Sequence, residues 1–252
     1  MNPAWKEDFD RDGFVVIRDF LNADEVRSLE DGMWRFLRDI APTMDRAHVM
    51  YEDPSDPASL KQADCVHFDQ GLNEIRLRGK VRELAELLIG PVEAQQGEFF
   101  DKPPHNNKPT PPHQDGFYFC LKPNVACTIW IPLDVVDEDN GTLAYIRGSH
   151  RLGVLPHNAS SVLGFSQGLV PDPNSLGERV LCPAKPGDVL VHHSLTIHMA
   201  GGNRSTRHRR SVGFVYYSTA AELDQEAFDR YQSSLKVQRE AKGIEHTAVV
   251  AR

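Results

Sequence analysis

From residue 92 to residue 218 the chain is a series of short β-prone runs separated by turn-forming residues, and this pattern restricts the fold more than any other feature. Runs such as ACTIWIPLDVV, GTLAYIRG and RRSVGFVYYS alternate with DEDNG, RGSH and KPGD. β-Branched and aromatic residues favour strands, whereas Gly, Pro, Asn and Asp favour turns. Many short strands with such turns predict a β-sandwich or jelly roll.

Helical patterns flank this β-rich part. Residues 1–91 contain a strand candidate at 13–20, then a helix that Asn22 can cap, then a second helix, VRELAELLIG, which should end at Gly90-Pro91. From Thr219 onward the composition is helical again, and the last residues, IEHTAVVAR, are typical of a loose tail. We therefore expect one domain, residues 1–252, with an N-terminal helical region 1–91, a β core 92–218, and a C-terminal helix and tail 219–252. The helix should cap its own barrel rather than pair with a second chain.

Charge and composition exclude some partners. The formal net charge is -8, which argues against nucleic acid or an anionic membrane and leaves a small molecule as the expected partner. The N-terminus has no signal-peptide pattern, and no apolar run approaches the roughly 18 residues of a membrane helix. The four cysteines form no CxxC pair, as expected for reduced thiols in the cytoplasm. The sequence does not indicate an oligomeric state.

The stretch PTPPHQDGFYF contains a candidate metal-ligand pair, His113 and Asp115. On a strand, residues i and i+2 point to one face, so both side chains could reach one ion. A lone His-x-Asp is at least as often an ordinary polar corner. A third ligand must therefore come from elsewhere in the chain.

The segment DVLVHHSLTIHMAGG offers that third ligand. If 189–198 is one strand, parity places His192 and His198 on one face and leaves both as candidates. His198 is at the strand end, whereas His192 is deeper and suits a hydrogen-bonded core histidine. Two histidines and one carboxylate on a face form the facial triad of non-haem Fe(II) oxygenases.

The arginine-rich segment NRSTRHRRS leads into the apolar run SVGFVYY. Such a segment is usually a solvated turn, but an arginine at the start of a buried strand can pair with a carboxylate inside a barrel. An iron that activates O2 needs electrons, and a chelating 2-oxoacid would supply them. Its far carboxylate would then pair with Arg207, Arg209 or Arg210.

Three ordered blocks resemble the phytanoyl-CoA dioxygenase family of Fe(II)- and 2-oxoglutarate-dependent oxygenases: DKPPHNNKPTPPHQDGFYF, TIWIPLDVVDEDNGTLAYIRGSHRLG and KPGDVLVHHSLTIHMAGGNRSTRHRRS. The opening DFDRDGFVVIRDFLNADEV also resembles this family. The resemblance covers most of residues 92–217. It implies a mainly β (α+β) chain with a double-stranded β-helix (jelly roll, cupin-like) core and flanking helices.

The resemblance also implies residue roles. It makes His113, Asp115 and His198 the iron ligands and thereby favours His198 over His192. The family's co-substrate arginine lies eleven positions after the distal histidine, which is Arg209 here. Trp130 falls where the family has a tryptophan close to the co-substrate.

Two residues differ from the family pattern at positions that concern the substrate. Glu98 stands where relatives often have Met or Gln, and it either faces a cationic substrate or points away. His67 stands near a position where some relatives have lysine. With His105, Phe117 and Tyr118, these residues are the candidates for the substrate pocket, and the aromatic ones are equally suited to core packing. Retention of Asp115 argues against the halogenase branch, in which a small residue replaces the carboxylate.

These observations predict an Fe(II)- and 2-oxoglutarate-dependent dioxygenase. With O2 as the second co-substrate, it would hydroxylate an unactivated C–H bond of a small metabolite and release succinate and CO2. The alternative is a jelly-roll protein that binds a metal without redox chemistry or without catalysis, since His and Asp ligands alone do not select iron.

Overall fold

The computed structural model describes residues 1–53, 55–56, 59–162 and 164–241. Two antiparallel sheets form its core. The larger sheet contains seven strands: β1 (Phe14–Ile17), β2 (Val49–Tyr51), β3 (Leu60–Ala63), β4 (Val92–Lys102), β7 (Ala126–Pro132), β12 (Val189–His193) and β14 (Arg209–Ser218). The smaller sheet contains four: β5 (Thr110–His113), β8 (Leu143–Ile146), β11 (Arg179–Cys182) and β13 (His198–Ala200). Two short pairs complete the set: β6 (Leu121–Lys122) with β15 (Glu222–Leu223), and β9 (His157–Ala159) with β10 (Gln167–Leu169).

The strand order is that of a jelly roll, as the sequence predicts. It is β1-β12-β7-β14-β4-β3-β2 in the larger sheet and β11-β8-β13-β5 in the smaller, so chain neighbours are seldom sheet neighbours. Phe14, Trp130 and Leu190 of the larger sheet pack against Leu143 and Tyr145 of the smaller one. The interior between the two sheets is therefore where side chains from distant parts of the chain meet.

Strand β14 is buried on both faces, which explains its apolar sequence. Its even-numbered residues Val212, Phe214 and Tyr216 belong to the core beneath the helices. Because side chains alternate along a strand, Arg209 and Val215 point to the interior between the sheets. This alternation decides which arginine of the basic segment faces that interior.

The N-terminal helices are α1 (Ala4–Asp12), α2 (Ala23–Arg35), α3 (Gln70–Leu77) and α4 (Gly79–Ile89). Asn22 caps α2 as predicted: its Oδ1 accepts the backbone N–H groups of Asp24 and Glu25, both at 3.0 Å. Helix α4 ends at Gly90, whose φ of 80° is left-handed. The region predicted to be helical also contributes β1, β2 and β3 to the larger sheet, so it is not a purely helical layer.

Two strand predictions are wrong. The run FYFCL forms helix α5 (Asp115–Phe119), and only then β6. Residues 189–198 do not form one strand, because β12 ends at His193 and β13 begins at His198. Between them the Thr196 hydroxyl donates to Gly13 O (2.6 Å) and the Ser194 hydroxyl to Asn124 Oδ1 (2.9 Å). These side-chain hydrogen bonds stabilise a turn against continuation of the strand.

Helix α6 (Gln225–Ala241) begins later than predicted, because Glu222 and Leu223 first pair with β6. It packs over the mouth of the interior cavity with Phe228, Tyr231 and Leu235, which agrees with the expectation that it caps its own barrel. The predicted tail, residues 244–252, lies outside the described residues. Among the residues that are described, no helix is both long and apolar enough to cross a membrane.

Candidate metal centre

His113, Asp115 and His198 converge although they come from three different elements. His113 is the last residue of β5, His198 the first of β13, and the two are direct partners in the strand pairing. Asp115 is the first residue of α5. Its Oδ1 lies 3.6 Å from His113 Nε2 and 3.5 Å from His198 Nε2, and one ligand atom of each residue lies within 4.8 Å of the other two. Such a group can hold one metal ion.

The two histidines present unprotonated Nε2 atoms to that point. Nδ1 of His113 donates to Pro111 O (2.8 Å) and Nδ1 of His198 to Thr196 O (3.1 Å). A proton fixed at Nδ1 leaves the Nε2 lone pair for a metal, as in most histidine ligands. Burial lowers the pKa of both imidazoles, which keeps them neutral near pH 7.

Hydrogen bonds also fix the orientation of the Asp115 carboxylate. Its Oδ2 accepts hydrogen bonds from Thr128 Oγ1 (2.7 Å) and His192 Nε2 (3.0 Å), so Oδ1 faces the two histidines. Burial alone would raise the pKa of Asp115, but its attraction to His198 and the hydrogen bond from His192 outweigh burial and hold it well below the usual range. Two neutral imidazoles and one carboxylate fit a divalent iron.

These residues form a group, but they do not share strands as their alternation in the sequence predicted. His113 and Asp115 do not share a strand, because the chain turns into α5 after Gln114. His192 and His198 do not share one either. His192 is buried and hydrogen-bonded to Asp115 and Tyr145, which agrees with its interpretation as a core histidine.

Of the three candidate arginines, Arg209 alone lacks an ion-pair partner among the described residues. Arg207 is half exposed and donates to Asp137 (2.7 Å), while Arg210 forms a two-pronged pair with Asp134 (2.8 and 2.6 Å). Arg209 is 3% exposed, its Nε has no hydrogen-bond partner, and its guanidinium lies 5.6 Å from the centre of the Trp130 ring. Burial lowers the pKa of Arg209 to about 10, so it stays charged at neutral pH.

A second buried basic side chain, Lys102, was not predicted from the sequence. It is the direct partner of Arg209 on the neighbouring strand, so both side chains point into the interior. Lys102 is 7% exposed, and its Nζ donates to the backbone oxygen of Lys108 (3.1 Å). Burial, and then the charge of Arg209, lower the pKa of Lys102 to about 6. Arg209 is charged at neutral pH, and an anion bound beside Lys102 would raise the pKa of that amine and protonate it. These two adjacent buried basic groups, neither with a carboxylate partner among the described residues, form a site for an anion.

A cavity of about 760 Å³ joins the three candidate ligands to Arg209 and Lys102. Among the predicted residues, Trp130, Glu98 and Tyr118 line it, whereas Phe117, His67 and His105 do not. One part of its wall is apolar and contains Phe119, Val215, Leu223, Phe228, Tyr231 and Leu235. Another part carries charged and polar side chains, including Arg46, Lys61, Gln62, Asp64 and Asp101.

The structure places Phe117, His67 and His105 outside the cavity. Because α5 is a helix, Phe117 points away from the cavity and stacks on His157 at 4.3 Å between ring centres. His67 lies in the short 3-10 helix Val66–Phe68 and packs edge-on against Phe68. His105 is exposed in the loop after β4. Phe165, which the sequence did not single out, lies over the His113 ring at 4.9 Å.

Known proteins share both this sequence pattern and this fold. The family model "Phytanoyl-CoA dioxygenase (PhyH)" matches residues 9–211. The peroxisomal phytanoyl-CoA dioxygenase of Mus musculus is 28% identical over 228 residues, which are 84% of this chain and 67% of that protein. The 1-deoxypentalenic acid 11-beta-hydroxylase of Streptomyces arenae is 29% identical over 78% of this chain and 73% of that protein.

Solved structures of other proteins show the same fold. EvdO2 from Micromonospora carbonacea var. aurantiaca, complexed with 2-oxoglutarate, aligns with a TM-score of 0.69 and 26% identity over 88% of this chain and 93% of that one. The predicted fold class, enzyme class and cofactors are thereby confirmed, and no comparison favours a non-catalytic jelly-roll protein. The chain belongs to the phytanoyl-CoA dioxygenase (PhyH) family of non-haem iron, 2-oxoglutarate-dependent dioxygenases.

Proposed function

We propose that this protein hydroxylates an unactivated C–H bond of a small molecule, using O2 and converting 2-oxoglutarate to succinate and CO2. One observation carries the proposal: His113, Asp115 and His198 converge on the same cavity that holds the buried Arg209, which has no ion-pair partner among the described residues. A metal site alone would fit many functions. A metal site beside an anion site fits a chelating dicarboxylate.

Each residue has a distinct role in this proposal. His113, Asp115 and His198 hold Fe(II), which supplies the redox chemistry that couples O2 to C–H oxidation. Arg209 and Lys102 bind the far carboxylate of 2-oxoglutarate, and Trp130 packs beside Arg209. The buried walls keep water from the reacting groups.

The cavity wall favours a substrate with an apolar body. Side chains of α5, α6 and β14 that line its outer part are aliphatic or aromatic, including Phe119, Val215 and Phe228. Glu98 and Tyr118 are the polar groups we assign to the substrate. Relatives named for phytanoyl-CoA and for 1-deoxypentalenic acid support a small-molecule substrate.

We also place the protein in the cytoplasm. All four cysteines are buried and none of them forms a disulfide, as expected for a reducing compartment. Burial raises the pKa of Cys120 to about 11 and that of Cys182 to about 12, so both stay as unreactive thiols at neutral pH.

The reaction can be tested in two stages. Anaerobic addition of Fe(II) and 2-oxoglutarate should produce a visible charge-transfer band, and admission of air should release succinate. A panel of apolar metabolites should then contain compounds that accelerate succinate release and gain one oxygen atom by mass spectrometry. Protein loaded with Zn(II) is the control and should release none. Absence of both the band and succinate from Fe(II)-loaded protein would contradict the proposal.

Replacement of Lys102 tests the anion site. The unfolded chain binds a proton at Lys102 up to its ordinary pKa of 10.5, but the folded protein does so only below about 6. Between these values the unfolded state binds more protons, so the stability contributed by this site rises with pH. Lys102→Met should therefore raise Tm by several degrees at pH 6, at about 2–4 °C per kcal/mol, and converge with the native protein near pH 10.

The same variant should raise the KM for 2-oxoglutarate by about tenfold, the effect of one lost charged hydrogen bond. Lys108→Met is the matched control, because Lys108 is exposed and pairs with Glu52 at 2.8 Å on the surface. In Lys108→Met, neither the rise in Tm at pH 6 nor the higher KM for 2-oxoglutarate should occur. A lower Tm at pH 6 with an unchanged KM in Lys102→Met would show that Lys102 binds no anion.

A further inference from the structure

The second oxygen of Asp115 is fully engaged within the protein. Thr128 Oγ1 and His192 Nε2 both donate to Oδ2, at 2.7 and 3.0 Å. An ionised carboxylate only accepts hydrogen bonds, so the directions of both bonds are fixed. Thr128 and His192 are direct partners in the pairing of β7 with β12, and the sheet therefore presents both donors to the carboxylate from one face.

A third side chain continues this network into the other sheet. With Nε2–H donated to Asp115, the Nδ1 of His192 accepts from the hydroxyl of Tyr145, at 3.1 Å. Tyr145 has no solvent exposure, and its ring stacks on Phe14 with ring centres 4.6 Å apart. It is also the direct strand partner of His198. The chain of contacts thus runs from one candidate ligand, through His192 and Tyr145, to the strand that carries another.

We infer that Thr128, His192 and Tyr145 are positioning residues that restrict Asp115 to binding iron through Oδ1 alone. This inference rests on the metal site of the proposed function. Binding through both oxygens would require Oδ2 to leave its two donors. With one oxygen from Asp115 and one nitrogen from each histidine, a bound iron would keep positions open for a chelating co-substrate and for O2.

The network also explains why three polar side chains are tolerated in the centre of the fold. Thr128, His192 and Tyr145 are all buried. Buried polar groups are costly unless they are hydrogen-bonded; here Thr128 and His192 both bond to Asp115, and Tyr145 bonds to His192. Removal of a side chain that hydrogen-bonds to a metal ligand typically lowers metal affinity or activity by about 10–100-fold.

Metal binding without turnover tests the inference. The probe is Co(II), whose d–d absorption responds to coordination number and geometry, titrated anaerobically in the absence of 2-oxoglutarate. We expect Co(II) affinity to fall roughly 10–100-fold in His192→Leu and Thr128→Val, and about 3–10-fold in Tyr145→Phe. The absorption spectrum should also change, because a released Oδ2 can reach the metal. His192→Gln, whose amide can donate to Oδ2, should recover part of the affinity and the native spectrum.

Tyr216→Phe is the matched control. Tyr216 is also fully buried, and its hydroxyl donates to Arg76 O at 2.8 Å on the helix-covered side of the sheet. It should lose a similar amount of thermal stability and keep native Co(II) affinity and spectrum. If His192→Leu, Thr128→Val and Tyr145→Phe bind Co(II) within about twofold of the native protein and with its spectrum, the inference is overturned while the metal site stands. If the native protein binds no Co(II), the metal site itself fails, and the inference with it.

Discussion

Arg209→Ala is expected to raise the KM for 2-oxoglutarate by roughly 30- to 5,000-fold, because loss of one partner of a buried charge pair costs about 2–5 kcal/mol. The guanidinium is almost fully buried in the cavity and has no ion-pair partner among the described residues. A bound dicarboxylate would provide that partner. The turnover number at saturating 2-oxoglutarate should fall much less, since Arg209 does not contact the reacting C–H bond.

Arg210→Ala is the matched control for this prediction. It removes an arginine one position along the same strand, but this side chain points to the opposite face and pairs with Asp134. Its KM for 2-oxoglutarate should stay within about twofold of native. Steady-state succinate release at varied 2-oxoglutarate concentration measures both variants. An equal KM increase in the two variants would assign the effect to general disruption of β14 rather than to co-substrate binding.

A thermal-shift measurement extends the test to binding without turnover. A ligand stabilises a protein by RT ln(1 + [L]/Kd), so 2-oxoglutarate at 100 times its Kd adds about 2.7 kcal/mol. The native protein loaded with Co(II) should show this shift, and Arg209→Ala should lose most of it at the same concentration. Its Tm without ligand should not fall, because the substitution removes an uncompensated buried charge.

The order of the elements was predictable because local patterns determine it. The turn-rich series of β runs indicated the jelly roll, and Asn22 and Gly90 marked helix ends that the structure contains. Such signals need only neighbouring residues: a cap needs a polar side chain before the helix, and a stop needs a left-handed residue after it.

The surroundings of the metal centre were predictable only in part. Family resemblance gave the three ligands, but local pattern placed two of them on a strand that turns into a helix at Asp115. The aromatic run after Asp115 has strand propensity, yet contacts with Ser194 and Asn124 hold the chain in a helical turn there. The contact with Ser194 joins residues that are far apart in the sequence, and no local window contains it.

Contacts between distant residues also explain why the roles of Lys102 and His192 were not predicted from the sequence. Lys102 meets Arg209 only because β4 pairs with β14 in that register. His192 is 77 residues from Asp115 and 47 from Tyr145 in the chain. Alternation along a strand can suggest that a side chain points inward, but register between strands decides what it meets. A sequence without an alignment contains no direct record of register.

Asp115→Asn is expected to eliminate turnover and to weaken Co(II) or Fe(II) binding by more than about 100-fold, since a buried charge partner contributes about 3–5 kcal/mol. The amide oxygen can still accept from Thr128 and His192. The amide N–H groups would then face the Nε2 atoms of His113 and His198 and donate to the lone pairs that the metal needs. Metal binding is thus weakened for two reasons: the negative charge is lost, and the lone pairs of both histidines accept hydrogen bonds from the amide.

This arrangement also predicts that the asparagine variant folds well. Every polar atom of the network keeps a partner, so the Tm of the metal-free protein should stay within a few degrees of native. Asp115→Ala should behave differently, because it leaves the Thr128 hydroxyl and the His192 N–H without an acceptor, at a cost of about 1–3 kcal/mol for each buried group. The two variants should therefore share the loss of metal and differ in stability.

Asp101→Asn is the control for metal affinity. Asp101 is a buried carboxylate that lines the same cavity, but its Oδ2 accepts from His208 Nδ1 at 2.8 Å rather than facing the candidate ligands. Its Co(II) affinity should stay near native. If Asp115→Asn binds Co(II) within tenfold of the native protein, Asp115 is not a ligand. Loss of metal in Asp115→Asn alone, in a protein that still folds, would instead identify Asp115 as a metal ligand, because both consequences of the substitution act at the point where His113, His198 and Asp115 meet.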